Sequence, residues 1–193
     1  MNQENKNNKV LITGHTRGIG RAVFDLLTQH GYECEGFSQS TGHNILECED
    51  MIVDKVEQFD YVVLNAYAQH SQEIMLKKIV ERYSDKDLRV AVITSTSGTS
   101  AGADDDIIDE EYTEYKQLKK DLIRCISEVQ QDLVDKKLNV YDVCPDTVYT
   151  DMTVGLWEQY PKLQPKDVAE CVHLVFSNKG YNINKIVIQK NAD

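Results

Sequence analysis

Short apolar runs rich in β-branched residues punctuate the chain at 9–13, 33–37, 61–65, 88–94, 138–144 and 185–189, and helix-period or polar stretches separate most of them. Strands that alternate with helices are joined by crossovers, so this pattern predicts βαβ units and a parallel sheet. The runs at 61–64 and 90–93 are almost continuously apolar, as strands covered on both faces must be. Residues Ile19, Ala22, Val23, Leu26 and Leu27 recur at helical spacing before Gly31, which predicts a first helix over 19–30. Further helices are predicted at 71–83, 110–136 and 166–178, the last behind Pro165. The expected architecture is α/β, a doubly wound parallel sheet flanked by helices, in a single domain over 1–193 with 1–8 flexible.

Composition narrows the function classes. At 193 residues, 41% hydrophobic and 27% charged, the chain can build a core without disulfides. A formal net charge of −11 opposes a phosphate backbone, so no nucleic-acid partner is expected. The five cysteines are scattered and never form a C-x-x-C pair, which points to reduced thiols and no metal site. The opening MNQENKNNK has no apolar h-region, and no apolar run is long enough to span a membrane. The expectation is a cytoplasmic protein with no membrane partner.

The stretch TGHTRGIG, residues 13–20, places three glycines between the first strand and the first helix. Glycine lets backbone N–H groups approach a phosphate closely, and a helix N-terminus carries partial positive charge. The spacing of Gly14, Gly18 and Gly20 is not G-x-G-x-x-G, and by itself it also fits a plain structural turn.

Four ordered segments extend the signal. The T-G-x-x-x-G-I-G turn, Asp60-Tyr-Val-Val-Leu-Asn65-Ala66, Ile93-Thr-Ser95-Thr-Ser97-Gly98 and Cys144-Pro145-Asp146-Thr147-Val148-Tyr149-Thr150-Asp151-Met152 together resemble the short-chain dehydrogenase/reductase family. The resemblance implies a Rossmann-type fold, and it likens the second and third segments to that family's fourth and fifth strands.

Its Tyr-x-x-x-Lys signature occurs twice in YTEYKQLKK, as Tyr112/Lys116 and Tyr115/Lys119. Residues three or four apart share a helix face, and Tyr115, Lys119, Leu122, Ile126, Val129 and Leu133 form one continuous stripe. That stripe lies against the sheet and favours Tyr115/Lys119, with Tyr112/Lys116 as the alternative. The bland reading is a core tyrosine beside a snorkelling lysine.

The resemblance implies hydride exchange between a nicotinamide cofactor and a small carbonyl or alcohol, with Tyr115 transferring the proton. A free tyrosine titrates near ~10, and the ammonium of Lys119 would stabilise its phenolate. Ser95 would bind the substrate oxygen, although Thr94 and Ser97 compete for that position. The cofactor is implied to lie against Gly14, Thr16, Arg17, Gly18, Ile19, Gly20, Ser38, Asn44, Asn65, Ala66, Lys119, Pro145, Val148 and Thr150. The end of the second strand, Gly36-Phe37-Ser38-Gln39-Ser40, has no acid to repel a 2′-phosphate, and Arg17 could grip one, so NADP is favoured with NAD as the alternative.

The pattern also departs from the family's. No asparagine occurs between Ala66 and Lys137, where the family carries a catalytic one, so Gln69 and His70 are considered as replacements. Tyr67 stands in place of a glycine and could crowd the cofactor ribose. Asp146 also replaces a glycine, as a residue that tolerates left-handed backbone. Trp157 and Tyr160 are candidate lid aromatics. The acids 104–106 and 109–111 read as a solvated helix start, with attraction of a cationic substrate as the sharper alternative. Two rival functions follow: a catalytically weak or inactive cofactor-binding sensor or scaffold, and a nucleotide-free structural protein. Relatives of this type are dimers or tetramers, so a homodimer or homotetramer is implied.

Overall fold

The computed structural model describes residues 8–99 and 110–191, so the acids 104–109 and the N-terminal residues expected to be flexible lie outside, except Asn8. Six parallel strands form one sheet: β1 (Lys9–Thr13), β2 (Glu33–Phe37), β3 (Tyr61–Leu64), β4 (Arg89–Ile93), β5 (Asn139–Pro145) and β6 (Lys185–Ile188). Their spatial order is β2-β1-β3-β4-β5-β6. The chain leaves β1 toward β2 and returns to the other side of β1 at β3. In open α/β sheets a ligand crevice forms outside the carboxyl ends of the strands where the order reverses.

Helices α1 (Gly18–Gln29) and α5 (Pro165–Ser177) cover one face, where Val23, Leu27, Val168, Val172 and Phe176 meet Val10, Ile12, Val63 and Val143. Helices α2 (Ile45–Lys55), α3 (Ser71–Tyr83) and α4 (Glu110–Asp132) cover the other, where Ile52, Met75, Leu76, Leu122 and Ile126 meet Leu11, Val62, Leu64, Val90 and Val92. Adjacent strand residues point to opposite faces, so Val10 and Leu11 enter different cores although both are fully buried. Each such aliphatic side chain contributes about 1.5–3 kcal/mol relative to exposure.

Two features correct the sequence reading. Helix α2 was not expected, because its polar residues mask the buried set Ile45, Ile52 and Val53. The segment likened to the family's fourth strand is the third strand of this chain, in the place its run predicts, with 39–58 forming turns and α2 before it. Helix α4 stops at Asp132, not 136, where Lys136 N–H closes a tight turn onto the Leu133 carbonyl.

Candidate active site

The glycine turn closes the carboxyl end of β1. Gly14 and Gly18 adopt φ of +72° and +53°, a region that L side chains avoid. A Cβ on Gly20 would fall 2.1 Å from the Gly14 carbonyl oxygen, so the turn folds back on α1 only with glycine there. Arg17 is the N-cap residue of α1, its side chain makes no capping hydrogen bond, and the first turn carries no acid. The leading N–H groups of α1 are thus uncapped by side chains, which suits a pyrophosphate. Ile19 packs into the α1 core behind them.

Asn65 follows β3 and latches this turn from the neighbouring strand. Its Nδ2 donates to the carbonyls of Thr13 (3.2 Å) and Gly14 (3.3 Å), while its own N–H and that of Ala66 donate to Thr13 Oγ1. On the other side, Thr150 stands close enough that a Cβ on Gly18 would lie 3.3 Å from its methyl. Arg17 reaches the same segment, 3.9 Å from Asp151, with both side chains highly exposed. Val148 is a buried residue bridged to Leu163. Asp146, after Pro145, is not left-handed: its carboxylate accepts from Thr147 N–H at 2.8 Å and from Thr96 Oγ1 at 3.1 Å. Those bonds fix the turn without a positive φ.

Beyond β2 the chain presents a cluster of hydroxyls. Ser40 Oγ donates to Thr16 Oγ1 at 2.9 Å and lies 2.9 Å from Ser38 Oγ, while Thr41 Oγ1 donates to the Ser38 carbonyl. Asn44, expected near the adenine, caps α2: its Oδ1 accepts from Leu46 N–H and its Nδ2 donates to Glu47.

The proton-handling groups meet at the carboxyl end of β4. A Cβ on Gly98 would lie 2.6 Å from the Lys119 backbone carbon, so glycine lets α4 approach the turn at Thr96–Gly98. Ser95, buried, lies near the Tyr115 phenol and acts to lower its pKa. Thr94 faces the sheet interior and donates to Asp142, and Ser97 Oγ lies 3.3 Å from the Tyr112 hydroxyl. Two serine–tyrosine pairs therefore stand side by side, but only Tyr115 adjoins the buried Lys119, whose Nζ lies 5.7 Å from its ring. Lys116 Nζ lies over the Tyr112 ring at 5.6 Å.

Burial dominates the electrostatics here. It pushes the Tyr115 phenol up to about 12 despite the nearby Ser95, and the Lys119 ammonium down to about 8 despite the nearby Cys144 and Asp142. The expected easing of phenolate formation by Lys119 is thus outweighed by desolvation. At neutral pH the phenol holds its proton, the state a donor needs.

Aromatic rings crowd the approach. Tyr67 packs edge-on to Tyr115 at 5.1 Å and lies 5.6 Å from Lys119 Nζ, while Trp157, at φ +50°, packs against Tyr112 at 5.3 Å. Tyr160 is exposed. Of the two residues considered in place of the missing asparagine, Gln69 adopts φ +46° and His70 lies 3.6 Å from Glu73, and both line a small cavity with Lys119. Gln72 donates to the Leu64 and Ile93 carbonyls and accepts from Lys119. Sequence reasoning missed it, although its position three and four residues before Met75 and Leu76 put it on the buried stripe of α3.

No family model and no curated protein matches this sequence. Solved structures do match its fold. A short-chain dehydrogenase/reductase from Vibrio parahaemolyticus superposes with a TM-score of 0.73 at 19% identity, covering 95% of this chain and 100% of that one. The chain has the fold of the short-chain dehydrogenases/reductases. A short-chain dehydrogenase from Burkholderia cenocepacia J2315 in complex with NADP gives 0.70 at 17% identity over 94% of this chain and 96% of that one. The 3-alpha-hydroxysteroid dehydrogenase from Pseudomonas sp. B-0831 complexed with NADH gives 0.68 at 15% identity over 93% and 94%. Among the described residues, no helix is long and apolar enough to cross a membrane, and no three His, Cys, Asp or Glu are grouped to hold a metal.

Proposed function

We propose that the chain is an NADP-dependent oxidoreductase that exchanges hydride with a small carbonyl or alcohol compound. The observation that carries this reading is Tyr115 beside the buried Lys119, with Ser95 near its phenol, on the same sheet edge as the glycine turn. The bound nicotinamide would supply the hydride to the carbonyl carbon. Ser95 would hold the carbonyl oxygen, and Tyr115 would release its proton to that oxygen as the hydride arrives. Lys119 would hold the ribose and keep positive charge beside the phenol as the proton leaves.

The preference for NADP rests on the end of β2. Thr16, Ser38 and Ser40 offer hydroxyl donors there, with no acid among 36–40 to repel a 2′-phosphate. Arg17 is exposed and can turn toward the same phosphate. The rings of Tyr67 and Tyr115 at 5.1 Å favour a second reading, in which Tyr67 occupies ribose space and the protein binds cofactor as a sensor or scaffold.

Thermal melts with NADPH and NADH test cofactor binding, with the larger stabilisation expected for NADPH. A carbonyl panel with NADPH then separates enzyme from sensor. With an active substrate in hand, Tyr115→Phe is expected to lower kcat at least about a hundredfold. Wild-type kcat in that variant removes Tyr115 as the donor.

A further inference from the structure

Gln72 is 3% exposed, on the first turn of α3, and every polar group of its side chain has a partner. Its Nε2 donates to the Leu64 carbonyl at 2.8 Å and to the Ile93 carbonyl at 3.1 Å, the last residues of β3 and β4. Its Oε1 accepts from Lys119 Nζ at 2.8 Å, and Lys119 Nζ also donates to the Ile93 carbonyl at 3.1 Å. These partners determine the amide orientation. The reverse orientation would aim its oxygen at two carbonyls and its NH2 at an ammonium, with no acceptor for three donors.

An ammonium has three N–H groups. Two are engaged by Gln72 and Ile93, and the Tyr67 and Tyr115 ring centroids lie 5.6 and 5.7 Å from the same Nζ. The adjoining cavity, between Tyr67, His70, Gln72, Leu118 and Lys119, is only about 10 Å³, room for at most one water. Among the described residues, Gln72 is the one side chain that accepts a hydrogen bond from Lys119 Nζ.

We propose that Gln72 is the positioning residue of this site: it clamps the Lys119 ammonium to the ends of β3 and β4 and leaves one N–H free for the reacting side. The use made of that N–H rests on the oxidoreductase reading, whereas the clamp does not. It also assigns a task to the first turn of α3. The missing asparagine is answered by a side chain that spans two strand ends and contacts the lysine directly.

The decisive measurement follows the side-chain carbons of Lys119 through a pH titration by NMR of lysine-labelled protein, with Lys119→Met identifying the resonance. Gln72→Glu places a carboxylate against the ammonium and should raise the titration midpoint by about one pH unit or more. Gln72→Met keeps the length, fills the space against water and removes the acceptor, so the midpoint should fall by about as much. An unchanged midpoint in a cooperatively melting Gln72→Met protein overturns the clamp. Should neither variant fold, the wild type still decides, because a clamped ammonium exchanges its protons slowly below neutral pH and a freely rotating, rapidly exchanging one overturns the proposal. Where turnover exists, the pH profile of kcat in Gln72→Glu should move with the midpoint while KM for the carbonyl stays. Absence of turnover would count against the oxidoreductase reading and leave the titration result standing.

Discussion

Replacing Lys119 by methionine removes an ammonium that burial holds at about 8 instead of the ordinary 10.5. At about 1.36 kcal/mol per pH unit, that gap means the charged lysine costs the folded state about 3 kcal/mol at neutral pH. Methionine has nearly the same length and no charge. The loss in the opposite direction is the acceptor left at Gln72 Oε1, worth about 1–3 kcal/mol. At pH 7 the variant is therefore expected to be between equally stable and about 2 kcal/mol more stable than wild type. The sign then depends on pH. Below 8 the lysine is charged in both folded and unfolded chains, and wild type carries the whole penalty. Between 8 and 10.5 the folded lysine loses its proton first, so wild type gains stability as pH rises. The difference between the two proteins should shift toward wild type by about 3 kcal/mol across this window, and both other lysines and tyrosines cancel in the comparison. Urea unfolding of both proteins from pH 7 to 10.5 measures it. A constant difference would refute the argument that burial sets the state of this lysine.

Two further expectations follow from other parts of the structure. If Arg17 grips a 2′-phosphate, Arg17→Glu should weaken NADPH binding about tenfold or more, equivalent to about 1.4 kcal/mol, while NADH binding changes little; equal losses for both cofactors in calorimetric titrations would show that Arg17 reads the shared pyrophosphate instead. The rings of His30 and His173 stack at 3.9 Å between α1 and α5, and burial, with His30 second, lowers the pKa of His173. A base lowered in the folded state loses stability as pH falls below its unfolded value of about 6.5, so the melting temperature should drop from pH 7.5 to 5.5, and the drop should be smaller in His173→Phe. Identical drops in the two proteins would exclude His173 as a contributor.

The fold was legible to the extent that its signals are local. Apolar runs placed all six strands within a residue or so: β1, β3, β4 and β5 lie between two helix layers and are apolar on both faces, while the edge strands β2 and β6 alternate. Helical period placed α1, α3, α4 and α5. Helix α2 was also written locally, in the Asn44–Glu47 pair at its start and the Ile45, Ile52, Val53 spacing, but eleven residues containing five acids and lysines hide a narrow apolar stripe. The glycines of 14–20 announced a tight turn by themselves, since positive φ is a property of single residues.

What only the tertiary structure decided is which side chains share a site. The amide of Gln72 reads in sequence as one more polar residue near a helix start. Its meaning comes from strand order, which sets the ends of β3 and β4 side by side and presents two carbonyls that one amide can span. The same order places Lys119, 47 residues further along the chain, within reach of it. Asn44 and Asn65, expected at the cofactor, hold a helix cap and a turn, partners that only the fold supplies. A chain states its periodicity through neighbours three or four residues apart, whereas hydrogen-bond partners tens of residues apart are chosen by how the sheet is wound.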